Sequence, residues 1–175
     1  MRTTNNLGFT LVELLIVIAL LGALAIGLLA TVDPFEQLKK GRDTATRNTV
    51  SELYNGFIRY YAINSKFPWN TTGQTGVTAS LSAMSGYISA VANAGELKEK
   101  FIDLATTGRL AKITISSTSP TGTKEQISVC YAPESKSFRN DDNTNFDAVG
   151  DTVGTANLSN CTGRGGSNTC YWCMQ

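Results

Sequence analysis

Apolar and polar positions divide the chain into three regimes. Residues 8–32, GFTLVELLIVIALLGALAIGLLATV, are apolar almost without break and carry one charge, Glu13, near their start. Neither Lys nor Arg interrupts them. A helix over this stretch is long enough to cross a bilayer core of roughly 30 Å. A carboxylate inside such a helix costs on the order of 2.5–3.5 kcal/mol on insertion scales, so Glu13 needs a physical reason to be there.

From Asp33 the pattern becomes amphipathic. Asp33-Pro34-Phe35-Glu36 reads as a helix start, with Asp at the N-cap, Pro at the first position and Glu at the third. Pro34 also breaks or kinks a helix arriving from residues 8–32, so one long helix with a kink or melted turn near Asp33 is expected. Phe35, Leu38, Ala45, Val50, Leu53, Tyr54, Phe57, Ile58 and Tyr61 then recur mostly every third or fourth residue, which sets one stripe toward a core. Lys39, Lys40, Arg42, Asp43, Arg47 and Glu52 fall on other faces and read as solvated surface, and the weakly apolar section 41–49 reads as lying on the membrane side of the head. Lys66-Phe67-Pro68 should stop the helix near Asn64.

The third regime is shorter in period. Residues 70–78, rich in Thr and Gly, read as a surface loop. Residues 79–92 and 96–105 read as two short helices, burying Leu81, Met84, Ile88 and Val91, then Leu97, Phe101, Ile102 and Leu104. Residues 110–117 and 124–131 alternate as strands around a turn at Ser119-Pro120-Thr121-Gly122, and 136–139 read as a third short strand. A small antiparallel sheet of about three strands packed on the long helix follows. From Asn140 the chain is polar, Gly-rich and without regular pattern.

Composition removes several classes of function. The chain has 175 residues, a formal net charge of +1 and no His, which takes away the commonest general base and the commonest metal ligand. There is no Gly-x-Ser-x-Gly, no phosphate-binding Gly-rich loop and no clear pair of catalytic carboxylates, so an enzyme is not expected. The charge balance, with no basic stripe, gives no reason for nucleic-acid binding. All four cysteines, Cys130, Cys161, Cys170 and Cys173, lie in the last part of the chain, which points to an oxidising compartment. Two structural disulfides are the preferred reading, each stabilising by ~2–4 kcal/mol; three connectivities are open to four cysteines, and the arrangement expected ties the tail to the strand at Cys130 by one bridge and closes a loop inside the tail by the other. A zinc site is the second reading, although only Cys170 and Cys173 are spaced as a knuckle. A redox dithiol at Cys-Tyr-Trp-Cys is the third, although no βαβ context surrounds it. Asp141, Asn143, Asn145 and Asp147, with Asp151 beyond, set oxygen ligands at alternate positions as in the first half of a calcium loop. Phe146 stands where the turn Gly belongs and Thr152 where the bidentate Glu belongs, so a solvated, turn-rich loop is the alternative.

The N-terminus admits three readings. A secretory signal peptide would use Arg2 and cleave after Ala23-Leu24-Ala25, but Glu13 would then sit inside its apolar region, and the run continues past that site. A plain signal anchor leaves Gly8 and Glu13 unexplained. The preferred reading is that Gly8-Phe9-Thr10-Leu11-Val12-Glu13, after a short polar leader, resembles the prepilin motif of type IV pilins and type II secretion pseudopilins. The resemblance covers Gly8 to about Ala30. It implies a cut between Gly8 and Phe9 by a prepilin peptidase, methylation of Phe9, and Glu13 as the family's near-invariant glutamate. Glu13 lies one helical turn, about 6 Å, from the new amino terminus. In a bundle of staggered copies, a neighbouring Phe9 amine would give it a cationic partner; the alternative is that Glu13 snorkels to the interface. Ala19, Ala23 and Gly27, with Ala30 close behind, form a small-residue stripe that lets helices approach, or else reflect composition alone. Tyr60, Tyr61, Asn64 and Pro68 resemble a signature of the secretion pseudopilins, with Phe67 in place of the usual Tyr. The family's major pseudopilins bind calcium in a C-terminal loop, which bears on Asp141 to Asp147, while the Cys-bearing tail resembles the disulfide-bounded loop of type IV pilins.

The expected fold is therefore α+β. A long N-terminal helix, half transmembrane and half packed on a head, is followed by short helices, a small antiparallel sheet and a disulfide-bearing C-terminal loop region. The expected divisions are a leader at 1–8, an anchor and assembly helix at 9–32, its amphipathic continuation at 33–68 and a head at 69–175. The expected function is a structural subunit that is cut after Gly8, held in the cell membrane with its head outside the cytoplasm, and polymerised with copies of itself on an inner-membrane assembly platform. The filament would be a type IV pilus or a type II secretion-like pseudopilus. The alternative is a single-pass, membrane-anchored domain for adhesion or DNA uptake that does not polymerise. No cofactor is expected beyond the candidate calcium ion.

Overall fold

The computed structural model describes residues 8–31, 33–72, 76–105, 107–118, 125–153, 161 and 168–175. The leader 1–7, Val32, the tip of the 70–78 loop, the turn at Ser119-Pro120-Thr121-Gly122 and parts of the tail lie outside the described residues. The chain divides into two compact units, Met1–Gln37 and Leu38–Gln175.

In the first unit, helix α1 spans Leu11–Thr31. Its segment Leu11–Leu29, 19 residues with a mean hydropathy of 2.8, has no buried position. At 1.5 Å per residue it is about 28 Å long, close to the thickness of a bilayer core. The next helix, α2, spans Pro34–Asn64. Asp33 begins it as the sequence predicts: its Oδ1 accepts from the backbone N–H of Phe35 at 3.1 Å and of Glu36 at 3.2 Å. These bonds satisfy donors that the first turn leaves orphaned.

The second unit is built on a four-stranded antiparallel sheet in the order β1-β2-β3-β4. Its strands are β1 (Val77–Ser80), β2 (Ile113–Thr118), β3 (Gln126–Tyr131) and β4 (Trp172–Met174). Short helices α3 (Ser85–Asn93), α4 (Phe101–Ala105) and α5 (Thr107–Leu110) fill the stretch between β1 and β2. Three expectations need correction. The segment 136–139 is not a strand but a single helical turn, α6 (Lys136–Arg139), because Ser135 caps it by accepting from the Phe138 N–H. The sheet has a strand at each edge that periodicity did not reveal, since β1 and β4 are too short to show an alternation. The helices read at 79–92 and 96–105 are shorter than expected: 77–80 is β1, Leu81–Met84 is a 3-10 turn, and regular helix begins at Ser85 and at Phe101.

The pleat puts Ile113 and Ile115 of β2 beside Tyr131 and Val129 of β3 on one face. These residues share one buried cluster with Val50, Leu53 and Phe57 of α2, spaced three and four apart along the helix. Phe57 meets Trp69 at 5.4 Å and Phe67 stacks on Trp69 at 4.9 Å, so the turn after α2 closes the core end. Trp69 has a polar handle even so: its Nε1–H donates to Glu125 at 2.7 Å. Phe35, Leu38 and Ile58, read as part of the core stripe, are exposed.

One residue read as solvated surface is the reverse. Asp43 is 2% exposed. Its carboxylate accepts from the backbone N–H of Glu134 at 2.9 Å, the N–H of Ser135 at 2.7 Å and the Ser135 hydroxyl at 2.6 Å. The chain leaving β3 therefore turns onto the polar face of α2, where Asp43 supplies the acceptors for that turn. A buried charge is tolerable only when it is so paired.

Two outcomes follow from this packing. Asp43→Ala strands three donors and should lower the unfolding free energy by about 3 kcal/mol or more, measured by denaturant melts of Trp fluorescence. A wild-type midpoint would reject the assignment. Gly150 has φ +93°, and a Cβ there would lie 2.5 Å from the Ser128 Cβ, so Gly150→Ala should destabilise by about 2 kcal/mol or more in the same assay.

Candidate functional site

The first group of functional positions lies at the head of α1. Gly8, Phe9 and Thr10 precede the helix and are exposed, Phe9 at 81%. Thr10 is the N-cap: its carbonyl accepts the first helical hydrogen bond, from Leu14, at 3.2 Å. Its hydroxyl accepts from the Glu13 N–H at 3.3 Å, and Glu13 Oε2 accepts from both the Thr10 N–H and the Thr10 hydroxyl at 2.8 Å. This is a capping box, in which a Thr and a Glu three residues on satisfy each other's backbone donors. Glu13 thus has a local role that the reading of residues 8–32 did not include, although Thr-x-x-Glu ahead of an apolar run is its signal. Both Thr10 donors go to Oε2, and among the described residues Oε1 has no partner.

Ala19, Ala23 and Gly27 lie four residues apart on α1, all exposed. A Cβ added at Gly27 would meet nothing within 4 Å, so nothing inside the chain requires a small residue there. The side chain of Ala30 lies outside the described residues.

The second group lies at the C-terminal end of the other unit. Cys130 and Cys173 face each other across β3 and β4 and are disulfide-bonded, and Cys161 is bonded to Cys170. No cysteine is free. The pairing has the form expected, one bridge to the strand and one within the tail. It corrects the other two readings, because Cys170 and Cys173 belong to different bridges and no thiolate remains for zinc. Closing loops with sequence separations of 43 and 9 residues corresponds to about 4 and about 2.6 kcal/mol in the chain-entropy picture.

The Asp side chains of the Asp/Asn loop have partners within the protein. Asp141 turns to α2, where Oδ2 meets the Arg47 guanidinium at 3.2 Å, while Oδ1 accepts from the Asn143 N–H at 2.9 Å and its amide at 3.1 Å. Asp147 Oδ1 accepts from the N–H groups of Val149 and Asp151, both at 2.9 Å. The Asn145 side-chain oxygen is buried without a partner among the described residues. Among those residues no group of three His, Cys, Asp or Glu side chains is placed to hold a metal ion.

Arg47, read as solvated, is half-buried and lies 4.4 Å from the Trp172 ring centroid and 4.8 Å from that of Phe138. With Asp43 one turn before it, it joins α2 to α6 and β4. Tyr131, 2% exposed, lies beside them. Burial and the Asp43 charge push its phenol well above the ordinary value, against the opposing Arg47 charge. Burial of Asp141 works against its charged form, but the Asn143 N–H and Arg47 outweigh it, and its carboxyl falls below the usual range. Glu134 is also held low, first by the Lys112 hydrogen bond and then, against some burial, by the Lys112, Arg42 and Lys39 charges.

Comparison with known proteins bears on the first group. Residues 3–29 match the family model described as the prokaryotic N-terminal methylation motif, the signature of type IV pilins and pseudopilins. No curated protein and no solved structure matches the chain. The chain therefore carries the N-terminal signature of a type IV pilin-like precursor, a motif family that is structural rather than catalytic.

Because the folded values of Glu134 and Asp141 are depressed, their contribution to stability is complete above the unfolded carboxylate range and is lost as pH falls through the folded values. The melting temperature should hold from pH 7 to about 5 and drop below about pH 4. Glu134→Gln combined with Asp141→Asn should flatten that drop; an unchanged acid limb would contradict the pairing.

Proposed function

We propose that the chain is a prepilin or pseudopilin: a structural subunit cut after Gly8, anchored in the cell membrane through α1, and polymerised into a type IV pilus or a type II secretion-like pseudopilus. The observation that carries this reading is the combination at the head of α1. The Gly8–Phe9 bond lies in an exposed, non-helical stretch, where a peptidase can reach it. Directly behind it the Thr10–Glu13 capping box fixes where helix begins, so the helix keeps its start when the leader is removed. The methylation motif at residues 3–29 supports the same processing.

Assembly follows from what α1 presents. Its apolar side chains from Leu11 to Leu29 are not buried among the described residues. In the membrane, lipid covers them; in a filament, copies of the same helix do. Cleavage creates a cationic Phe9 amine, and Glu13 Oε1 is the acceptor available to a neighbouring copy. A desolvated carboxylate that gains such a partner escapes the cost that an unpaired one bears. The Ala19, Ala23 and Gly27 positions allow close approach of the helices. The partners are then copies of the chain, a prepilin peptidase, membrane lipid and an inner-membrane assembly platform, with the head outside the cytoplasm, where its disulfides form. The Asp141–Asp147 segment serves this head as structure, through Arg47 and the turn amides.

Mass spectrometry of the mature N-terminus should find a methylated Phe9. An intact Met1 would reject the reading. Glu13→Gln should leave the head's melting curve unchanged and lower filament yield by about tenfold or more, since a neutral amide loses the charge pairing; wild-type yield would contradict the pairing.

A further inference from the structure

A cavity of about 190 Å³ opens beside α2, lined by Arg42, Thr46, Gly108, Arg109, Lys112 and Glu134 among others. Three cationic side chains meet there. Arg42 pairs with Glu134 Oε2 at 3.0 Å and Lys112 with Glu134 Oε1, so both cations share one carboxylate. Asp43 also borders the cavity, but its oxygens are taken by the Glu134 and Ser135 amides and the Ser135 hydroxyl. Arg109 has no hydrogen-bond or ion-pair partner for its guanidinium among the described residues. A guanidinium carries five N–H donors and an ammonium three, so most of the donors here are uncommitted. Against the two carboxylates that border the cavity, Glu134 and Asp43, its three cations leave a local excess of one positive charge.

We propose that this cavity binds a phosphate group, with Arg109 and Arg42 as forked donors and Lys112 as a point charge. Phosphate suits the set better than a carboxylate does. It offers three or four oxygens spread in space, matching donors that approach from α2, from α5 and from the turn before β2. Gly108 leaves the wall open, since a Cβ there would meet nothing within 4 Å. The source is a free phosphate or the head group of an anionic phospholipid. The proposal does not depend on polymerisation.

Arg109 makes the test clean, because its guanidinium makes no hydrogen bond or ion pair among the described residues. Inorganic phosphate is titrated by calorimetry into the full chain in an uncharged detergent. In parallel, native mass spectrometry follows retention of phosphatidylglycerol from mixed micelles, with phosphatidylcholine as the reference. Arg109→Gln should weaken binding of at least one probe by about fivefold or more with an unchanged melting temperature, while the distant, exposed Lys66→Gln should bind as wild type. Loss confined to phosphate identifies the free anion, and loss confined to phosphatidylglycerol identifies the lipid. The proposal is overturned if neither probe shows binding that depends on Arg109. It is equally overturned if Arg109→Gln changes filament yield alone, which would make the cavity a contact between copies.

Discussion

An apolar helix exposed along its length among the described residues is the constraint on which the rest of this molecule depends. Burial of apolar surface contributes roughly 25 cal/mol per Å², so a helix such as α1, exposed along its length, is stable only with lipid or with other helices around it. Its sequence serves both surroundings. Leu, Ile and Val suit lipid, while Ala and Gly at four-residue intervals suit a close helix neighbour. Glu13 sits where the two requirements meet. Its Oε2 holds the Thr10 cap while Oε1 has no partner among the described residues, so one carboxylate both starts the helix and offers an acceptor at its head.

The second unit solves a different problem, that of keeping a polar, Gly-rich tail in place with little core of its own. Three devices converge on one face of α2. Asp43 holds the turn after β3 through the Glu134 and Ser135 amides. Arg47 lies between Asp141 and the rings of Phe138 and Trp172. The Cys130–Cys173 bridge fixes β4, and with it Trp172, against β3. Covalent, ionic and aromatic restraints thus add to the packing of Trp172 and Met174 against the core.

Much of this was legible in the sequence where the signal is local or periodic. The Asp33 cap, the end of α2 at Asn64 and the alternation of β2 and β3 follow from residue type and spacing, and so does the presence of two disulfides, although which cysteines pair does not. What was not legible depends on long-range pairing. Asp43 and Arg47 occupy positions on α2 that periodicity assigns to solvent, and only the path of the chain some ninety residues later turns that face inward. β4 has three residues, too few to alternate, and exists because the disulfide and β3 hold it. Lys136–Arg139 resembled a strand until the Ser135 cap made it a helical turn. At the N-terminus the Thr10–Glu13 box is signalled by Thr-x-x-Glu, although an isolated charge in an apolar run points first to pairing between copies or to snorkelling.

The central claim is that the Glu13 carboxylate meets the amino terminus of a neighbouring copy. The most direct measurement is zero-length carbodiimide condensation of that amine with Glu13 in filaments assembled from a mixture of ¹⁴N- and ¹⁵N-labelled chains, with the linked peptides read by mass spectrometry. The account predicts a Phe9–Glu13 cross-link containing one light and one heavy chain. Cross-linked peptides of a single isotope, with no mixed species, would contradict it.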